Sequence, residues 1–219
     1  MENQPIAFLD PVGLLCSVGA MLCWTVAYIV IIRRGIVDKT YGMPLIPLCV
    51  NVSWEFIFSM VYPDKPPLVY VNAVWLVFDV GIVYTYLRYG RSEYPTMLPR
   101  WTFVPSFLLI LAFAFCGVLA VTYQFGDWTG SYTGWGGALM IEAALIAMLL
   151  RRGSTRGQSM YIAVLTLAGD AFVIAPELRI TGPSPLMIYL YVSIVLLGLV
   201  YVALLYRAFK SEGKSLWQY

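Results

Sequence analysis

Seven runs of about 20 mainly apolar residues follow one another along this chain, and the connections between them are too short to hold a domain of their own. About 20 such residues are what an α-helix needs to cross the hydrocarbon of a bilayer. The runs cover 11–32, 43–62, 68–87, 101–125, 131–150, 158–178 and 185–206. They predict an all-α fold, a seven-transmembrane-helix bundle that makes residues 1–219 one integral membrane domain. Pro11, Pro44 and Pro185 stand where helix starts tolerate proline, because the missing N–H has no intrahelical partner there. Charged residues make up 12% of the chain, against roughly 25% in a soluble domain. That is too few to clothe a water-facing surface.

Lysine and arginine give the direction. The first, third and fifth connections and the tail hold Arg33, Arg34 and Lys39; Arg88, Arg91 and Arg100; Arg151, Arg152 and Arg156; and Arg207, Lys210 and Lys214. These are 12 of the 14 basic residues, and the opposite side holds only Lys65 and Arg179. Basic residues collect on the cytoplasmic side, so the N-terminus is expected outside and the C-terminus in the cytoplasm. Glu2 and Asp10, with no basic stretch before the first run, predict that the first helix serves as an uncleaved membrane signal. The net charge of +2 is too small to argue for nucleic acid. Cys16, Cys23, Cys49 and Cys116 lie in apolar runs without CxxC spacing, so neither a disulfide framework nor a zinc site is expected.

Four acids fall deep inside these runs: Glu55 in the second, Asp79 in the third, Glu142 in the fifth and Asp170 in the sixth. Each lies about 11 or 12 residues from the start of its run, or roughly 17 Å at about 1.5 Å per residue. That is near the middle of a hydrocarbon core about 30 Å thick. An acid at the centre of a spanning helix costs roughly 2.5–3.5 kcal/mol, so four at one depth mark a functional cavity. No lysine, arginine or histidine accompanies them. At least one is therefore expected to keep its proton at neutral pH, and a neutral carboxylic acid in an apolar cavity is what protonation of an alkene or epoxide requires. The bland alternative is that the four only hydrogen-bond neighbouring helices.

Asn51, four residues before Glu55, shares its helical face and is expected to orient that carboxyl. Aromatic faces stabilise nearby positive charge by roughly 0.5–2 kcal/mol. An inward lining of Trp54, Trp75, Trp135, Phe172 and Tyr84 is thus expected to shield a carbocation. Tyr62, Tyr70, Trp101, Trp128, Tyr132 and Trp217 sit at run ends and read instead as interfacial belts.

The segment Asn51-x-x-Trp54-Glu55-Phe56 resembles the small integral membrane terpene cyclases. These belong to fungal meroterpenoid and indole diterpenoid pathways and to bacterial drimentine-type indole sesquiterpenoid pathways. The resemblance continues through Trp75-x-x-x-Asp79-x-x-Ile82, Tyr89-Gly90 and the stretch Leu150-Arg151-Arg152-Gly153-Ser154-Thr155-Arg156-Gly157-Gln158-Ser159. It implies about seven spans and an acid-initiated cyclisation. The enzyme would protonate a terminal alkene or epoxide of a farnesyl-type chain already attached to a small molecule, such as an indole or a cyclic dipeptide. It also implies an essential role for Glu55. The family carries an aspartate in its last span, where this chain reads Leu197-Gly198-Leu199-Val200-Tyr201. The second acid is then expected among Asp170, Glu142 and Asp79.

Neither the DDxxD cluster of diphosphate-ionising cyclases nor the DxDD string of soluble protonating ones occurs here, so no metal or cofactor is expected. The location that follows is a multi-pass membrane protein, in the plasma membrane if the source is bacterial and in the endoplasmic reticulum if fungal. The rival reading is a small seven-helix proton-coupled transporter that uses the same buried acids.

Overall fold

The computed structural model describes residues 11–180 and 183–217, with the side chains of 179 and 180 left aside. Glu2, Asp10 and the side chain of Arg179, used above to argue targeting and direction, lie outside the described residues. The described residues form seven α-helices: α1 (Pro11–Val37), α2 (Leu45–Phe56), α3 (Leu68–Tyr89), α4 (Phe103–Phe125), α5 (Ser131–Arg152), α6 (Met160–Ile180) and α7 (Pro185–Ser211). No strand occurs among the described residues. Among the described residues six helices are long and apolar enough to cross a membrane, while α2 with its extension covers the shorter stretch Leu45–Val61.

Local chemistry explains the boundaries. Pro44 caps α2 in extended backbone. Pro185 occupies the first turn of α7, where the Ser184 hydroxyl accepts from the Met187 N–H. Gly126 and Gly153 end α4 and α5 in the left-handed region, at φ 64° and 57°, where a side chain would be strained. The end of α2 differs from a plain span. Directly after Phe56 the helix widens into a π segment, Ile57–Val61, and π turns often accompany functional sites. Widening disturbs the regular backbone ladder, and lipid offers no substitute partner. The Ser59 hydroxyl supplies one, donating to the Glu55 carbonyl at 2.5 Å.

Six helices close a ring in the order α1–α3–α2–α5–α7–α6, and α4 lies outside it against α2 and α5. The basic connections gather at one end. Arg152 donates to Glu93 at 2.9 Å and to the Tyr41 carbonyl at 3.1 Å. Arg156 reaches the carbonyls of Asp38 and Lys39, and Glu212, beyond α7, accepts from Thr155. The opposite end holds Asp64, bonded by Asn72 at 2.9 Å, and Asp127, which caps the start of α5 through the N–H groups of Tyr132 and Thr133. Tyr62, Tyr123 and Trp128 cluster edge-on at that end.

Candidate active site

The four in-span acids each stand ten or eleven residues beyond the first residue of their helix. All are withdrawn from the surface: Glu55 is 2% exposed, Asp79 0%, Glu142 1% and Asp170 3%. They form two pairs on different sides of the ring rather than one cluster.

The first pair joins α2 to α3. The Asn51 amide nitrogen donates to both Asp79 oxygens, at 3.1 and 2.9 Å, and to the Tyr28 hydroxyl at 2.6 Å. The Tyr28 hydroxyl in turn stands within hydrogen-bonding reach of Glu55, and the charges of Asp79 and Asp64 act on that carboxyl. The expectation that Asn51 orients Glu55 directly is thus corrected. The two share a helical face, but the amide reaches across to α1 and α3, and Tyr28 stands between them. One Glu55 oxygen, Oε2, is buried with no hydrogen-bond partner.

The second pair joins α5 to α6. The charge of Glu142 acts on Asp170, and the Trp24 indole N–H faces Asp170 from α1. That indole lies so close to α6 that a Cβ added at Gly169 would stand 2.8 Å from its Nε1. Thr166 adjoins Glu142, yet its hydroxyl donates to the Ala163 carbonyl at 3.4 Å. Both Glu142 oxygens and Oδ2 of Asp170 have no hydrogen-bond partner. Among the described residues seven buried side-chain N or O atoms are unpartnered, and four of them belong to these acids. Orphan polar atoms cost about 1–3 kcal/mol each, so the cost is concentrated where chemistry would use it.

Helix α1 links the pairs. Trp24 and Tyr28 are one turn apart with ring centroids 6.2 Å from each other. Trp75 stacks on Tyr28 at 6.1 Å and 16°, Phe78 lies at 6.3 Å, and the Trp75 indole donates to Thr25 at 3.0 Å. The sequence reading missed Trp24 and Tyr28. The available signal was a pair of polar-tipped aromatics spaced i, i+4 in the middle of the first run.

Of the expected aromatic lining, only Trp75 stands against the first pair. Trp54, one residue and about 100° from Glu55, turns to the Gly130 carbonyl and Thr133 hydroxyl and packs on Phe58. Trp135 donates to Glu177 at 3.2 Å and meets Tyr191 edge-on at 4.8 Å. Two members of the lining are corrected. Tyr84 is 55% exposed and Phe172 39% exposed. Phe172 follows Asp170 by two residues, so it falls on the opposite side of α6, and Tyr84 lies on the lipid side of α3. Glu177 is a further in-span acid that the reading passed over, since it falls at the very end of the run 158–178. The Tyr191 hydroxyl also donates to it.

The family model of the Pyr4-like transmembrane terpene cyclases matches residues 1–211. Over 179 residues the chain is 34% identical to the Pyr4-family terpene cyclase mfmH of Annulohypoxylon moriforme, covering 78% of this chain and 72% of that one. It is 29% identical over 224 residues to the terpene cyclase olcD of Penicillium canescens, with 97% and 91% covered. To asnovolin H synthase nvfL of Aspergillus novofumigatus it is 27% identical over 231 residues, again with 97% and 91% covered. No solved structure matches the chain.

Proposed function

Because this chain belongs to the Pyr4-like transmembrane terpene cyclases, we propose that it cyclises a farnesyl-type prenyl chain attached to a small-molecule scaffold, with Glu55 as the proton donor. A membrane terpene cyclase is what family membership establishes, and it leaves the transporter reading without support. The observation that carries the role of Glu55 is its buried, unpartnered Oε2 beside the Tyr28–Trp75 aromatic wall. A carboxyl proton on that oxygen has no competing acceptor in the protein, so an incoming alkene or epoxide is its natural recipient.

The steps balance without release of diphosphate. The Glu55 O–H adds its proton to the terminal double bond, or to the epoxide oxygen, and leaves a tertiary cation. Successive π bonds attack that cation and close rings, while the faces of Trp75, Tyr28 and Trp24 stabilise the moving charge. A carboxylate of the Glu142–Asp170 pair removes the last proton, and its C–H electrons become the new double bond. Asp79, held by Asn51, fixes the floor of the first pair. The attached scaffold is an indole or a cyclic dipeptide, and residues 1–219 act as one membrane domain. Its N-terminus faces away from the cytoplasm and its C-terminus toward it, a direction supported by the basic connections gathered at one end.

Membranes containing the protein and a farnesylated indole test the donor. Glu55→Gln should lower the rate of cyclised product by at least about 100-fold, the usual scale for losing a general acid. Product at the parental rate would remove Glu55 as the donor.

A further inference from the structure

At the end where the basic connections gather, acidic partners are unevenly shared. Glu93 pairs with Arg152 at 2.9 Å and lies 3.5 Å from Arg151 and 3.6 Å from Arg156. Arg34 pairs with Asp38 at 2.7 Å. Glu93 is the one acidic residue between α3 and α4, and it is engaged by arginines from the end of α5 and just beyond. The connection's own arginines, Arg91 and Arg100, have no ion pair among the described residues. Both nevertheless line one recess of about 250 Å³, together with Ser92, Tyr94, Thr96 and Leu98.

The recess has a fixed frame. Arg91 belongs to the 3-10 turn Gly90–Glu93, and Arg100 opens the 3-10 turn Arg100–Thr102. Between them the Tyr94 hydroxyl is hydrogen-bonded to Thr102 at 2.9 Å and to Ser106 at 2.8 Å, and its ring meets Phe103 edge-on at 5.4 Å. The connection is thereby clamped against the start of α4. Its outward side chains are apolar: Met97 is 86% exposed, Trp101 74% and Leu98 43%. Indole rings and arginines side by side at helix ends mark the headgroup level of a bilayer.

Two guanidinium groups with no carboxylate between them call for an anion. Their planar forks match the oxygens of a phosphate better than a single point charge would. At headgroup depth, on the side where basic residues collect, the anion at hand is that of an acidic phospholipid. We infer that the α3–α4 connection binds the headgroup of an anionic phospholipid, its phosphate held by Arg91 and Arg100 and its acyl chains lying along Met97, Leu98 and Trp101. The Ser92 hydroxyl is donated to the Tyr89 carbonyl at 2.9 Å, so Thr96 supplies the hydroxyl that faces the headgroup. This site stands at the helix ends, away from both mid-span acid pairs, and does not depend on the cyclisation reading.

Thermal unfolding of the full chain in detergent, titrated with dioleoyl phosphatidylglycerol, tests the site. The lipid should raise the melting temperature saturably, and dioleoyl phosphatidylcholine should not. Arg91→Gln with Arg100→Gln should weaken the phosphatidylglycerol response at least about tenfold in midpoint concentration, the scale of one lost charge-assisted hydrogen bond. Lys39→Gln with Arg207→Gln is the matched control. It removes two exposed charges without ion pairs from the same end, and its midpoint should stay within about twofold of the parent. On the unaltered protein, phosphatidylglycerol carrying a photoreactive group next to its headgroup should label residues within 91–101, which keeps the test open if the double variant fails to assemble. The inference falls if the control pair weakens the response as much as the arginine pair, or if phosphatidylcholine protects equally. It also falls if inorganic phosphate alone reproduces the shift, or if the label lands on other helices.

Discussion

The amide nitrogen of Asn51 lies 2.9 and 3.1 Å from the two carboxylate oxygens of Asp79. A single side chain thus serves a buried acid on the next helix while the acid one turn further on its own helix, Glu55, is left to Tyr28. That division has an energetic signature. Asn51→Leu removes the donor from Asp79 and from Tyr28 at once, and should destabilise the protein by about 1–3 kcal/mol. The exchanged pair Asn51→Asp with Asp79→Asn restores an amide facing a carboxyl. It should recover most of the lost thermal stability in detergent micelles, and an exchange no more stable than Asn51→Asp alone would show that the contact carries no coupling.

The rotation of each helix decides which aromatics matter. Tyr84→Leu changes a residue that is 55% exposed to lipid, so stability should stay within about 0.5 kcal/mol of the parent and the products should be the same. Trp75→Leu removes the ring stacked on Tyr28 and the hydrogen bond to Thr25. It should redistribute products by chromatography. The reverse ranking would place the cation on the other side of α3.

Much of this architecture is readable in the amino acids, for definite reasons. Span length and proline position follow from local chemistry, so helix boundaries such as Leu68 and Pro185 fall within a few residues of the hydropathy runs. Depth follows from counting along a helix, which is why the four acids share a level. Rotation about the helix axis is another matter. In water an apolar face marks the inside, but a lipid-facing side is apolar too, so hydropathy loses its phase. Without that phase neither Phe172, two residues from Asp170, nor Tyr84, five from Asp79, can be oriented from the sequence: Phe172 lies part-exposed with its ring against Gly19 of α1, and Tyr84 is exposed. Pairing of Glu55 with Asp79 and of Glu142 with Asp170 depends on the order of helices around the ring, which no local pattern records. The same holds for Tyr28 and Trp24, whose partners lie on other helices.

Asp64 gives the end opposite the arginines a measurable pH response. Burial pushes its carboxyl up to about 6, a rise opposed by the hydrogen bond from Asn72 and reinforced by the charge of Asp127. In the unfolded chain an aspartate titrates near 3.9. Between about 4 and 6 the folded protein therefore holds a proton that the unfolded chain has lost, and stability falls as pH rises through that window. Asp64→Asn has no such proton to lose. It should match the parent in thermal unfolding at about pH 4 and exceed it at pH 7, and an equal difference at both pH values would refute the assignment.

Gly169 offers a test of the second acid pair that leaves every acid in place. A Cβ there would meet Cδ1 of Trp24 at 2.7 Å and Nε1 at 2.8 Å. The obstacle is a rigid indole, wedged against Tyr28 at 6.2 Å between centroids, so the ring as a whole has to move. Overpacking of this kind costs about 1–3 kcal/mol, more than the roughly 1 kcal/mol that alanine returns through helix propensity. A displaced indole also withdraws its N–H from Asp170. Gly169→Ala should therefore lower the melting temperature and yield a broader set of products while substrate is still consumed. Gly136→Ala is the control, since a Cβ there meets nothing within 4 Å, and it should be neutral or mildly stabilising. If the two variants behave alike, the close approach of Trp24 to α6 has no part in holding Asp170.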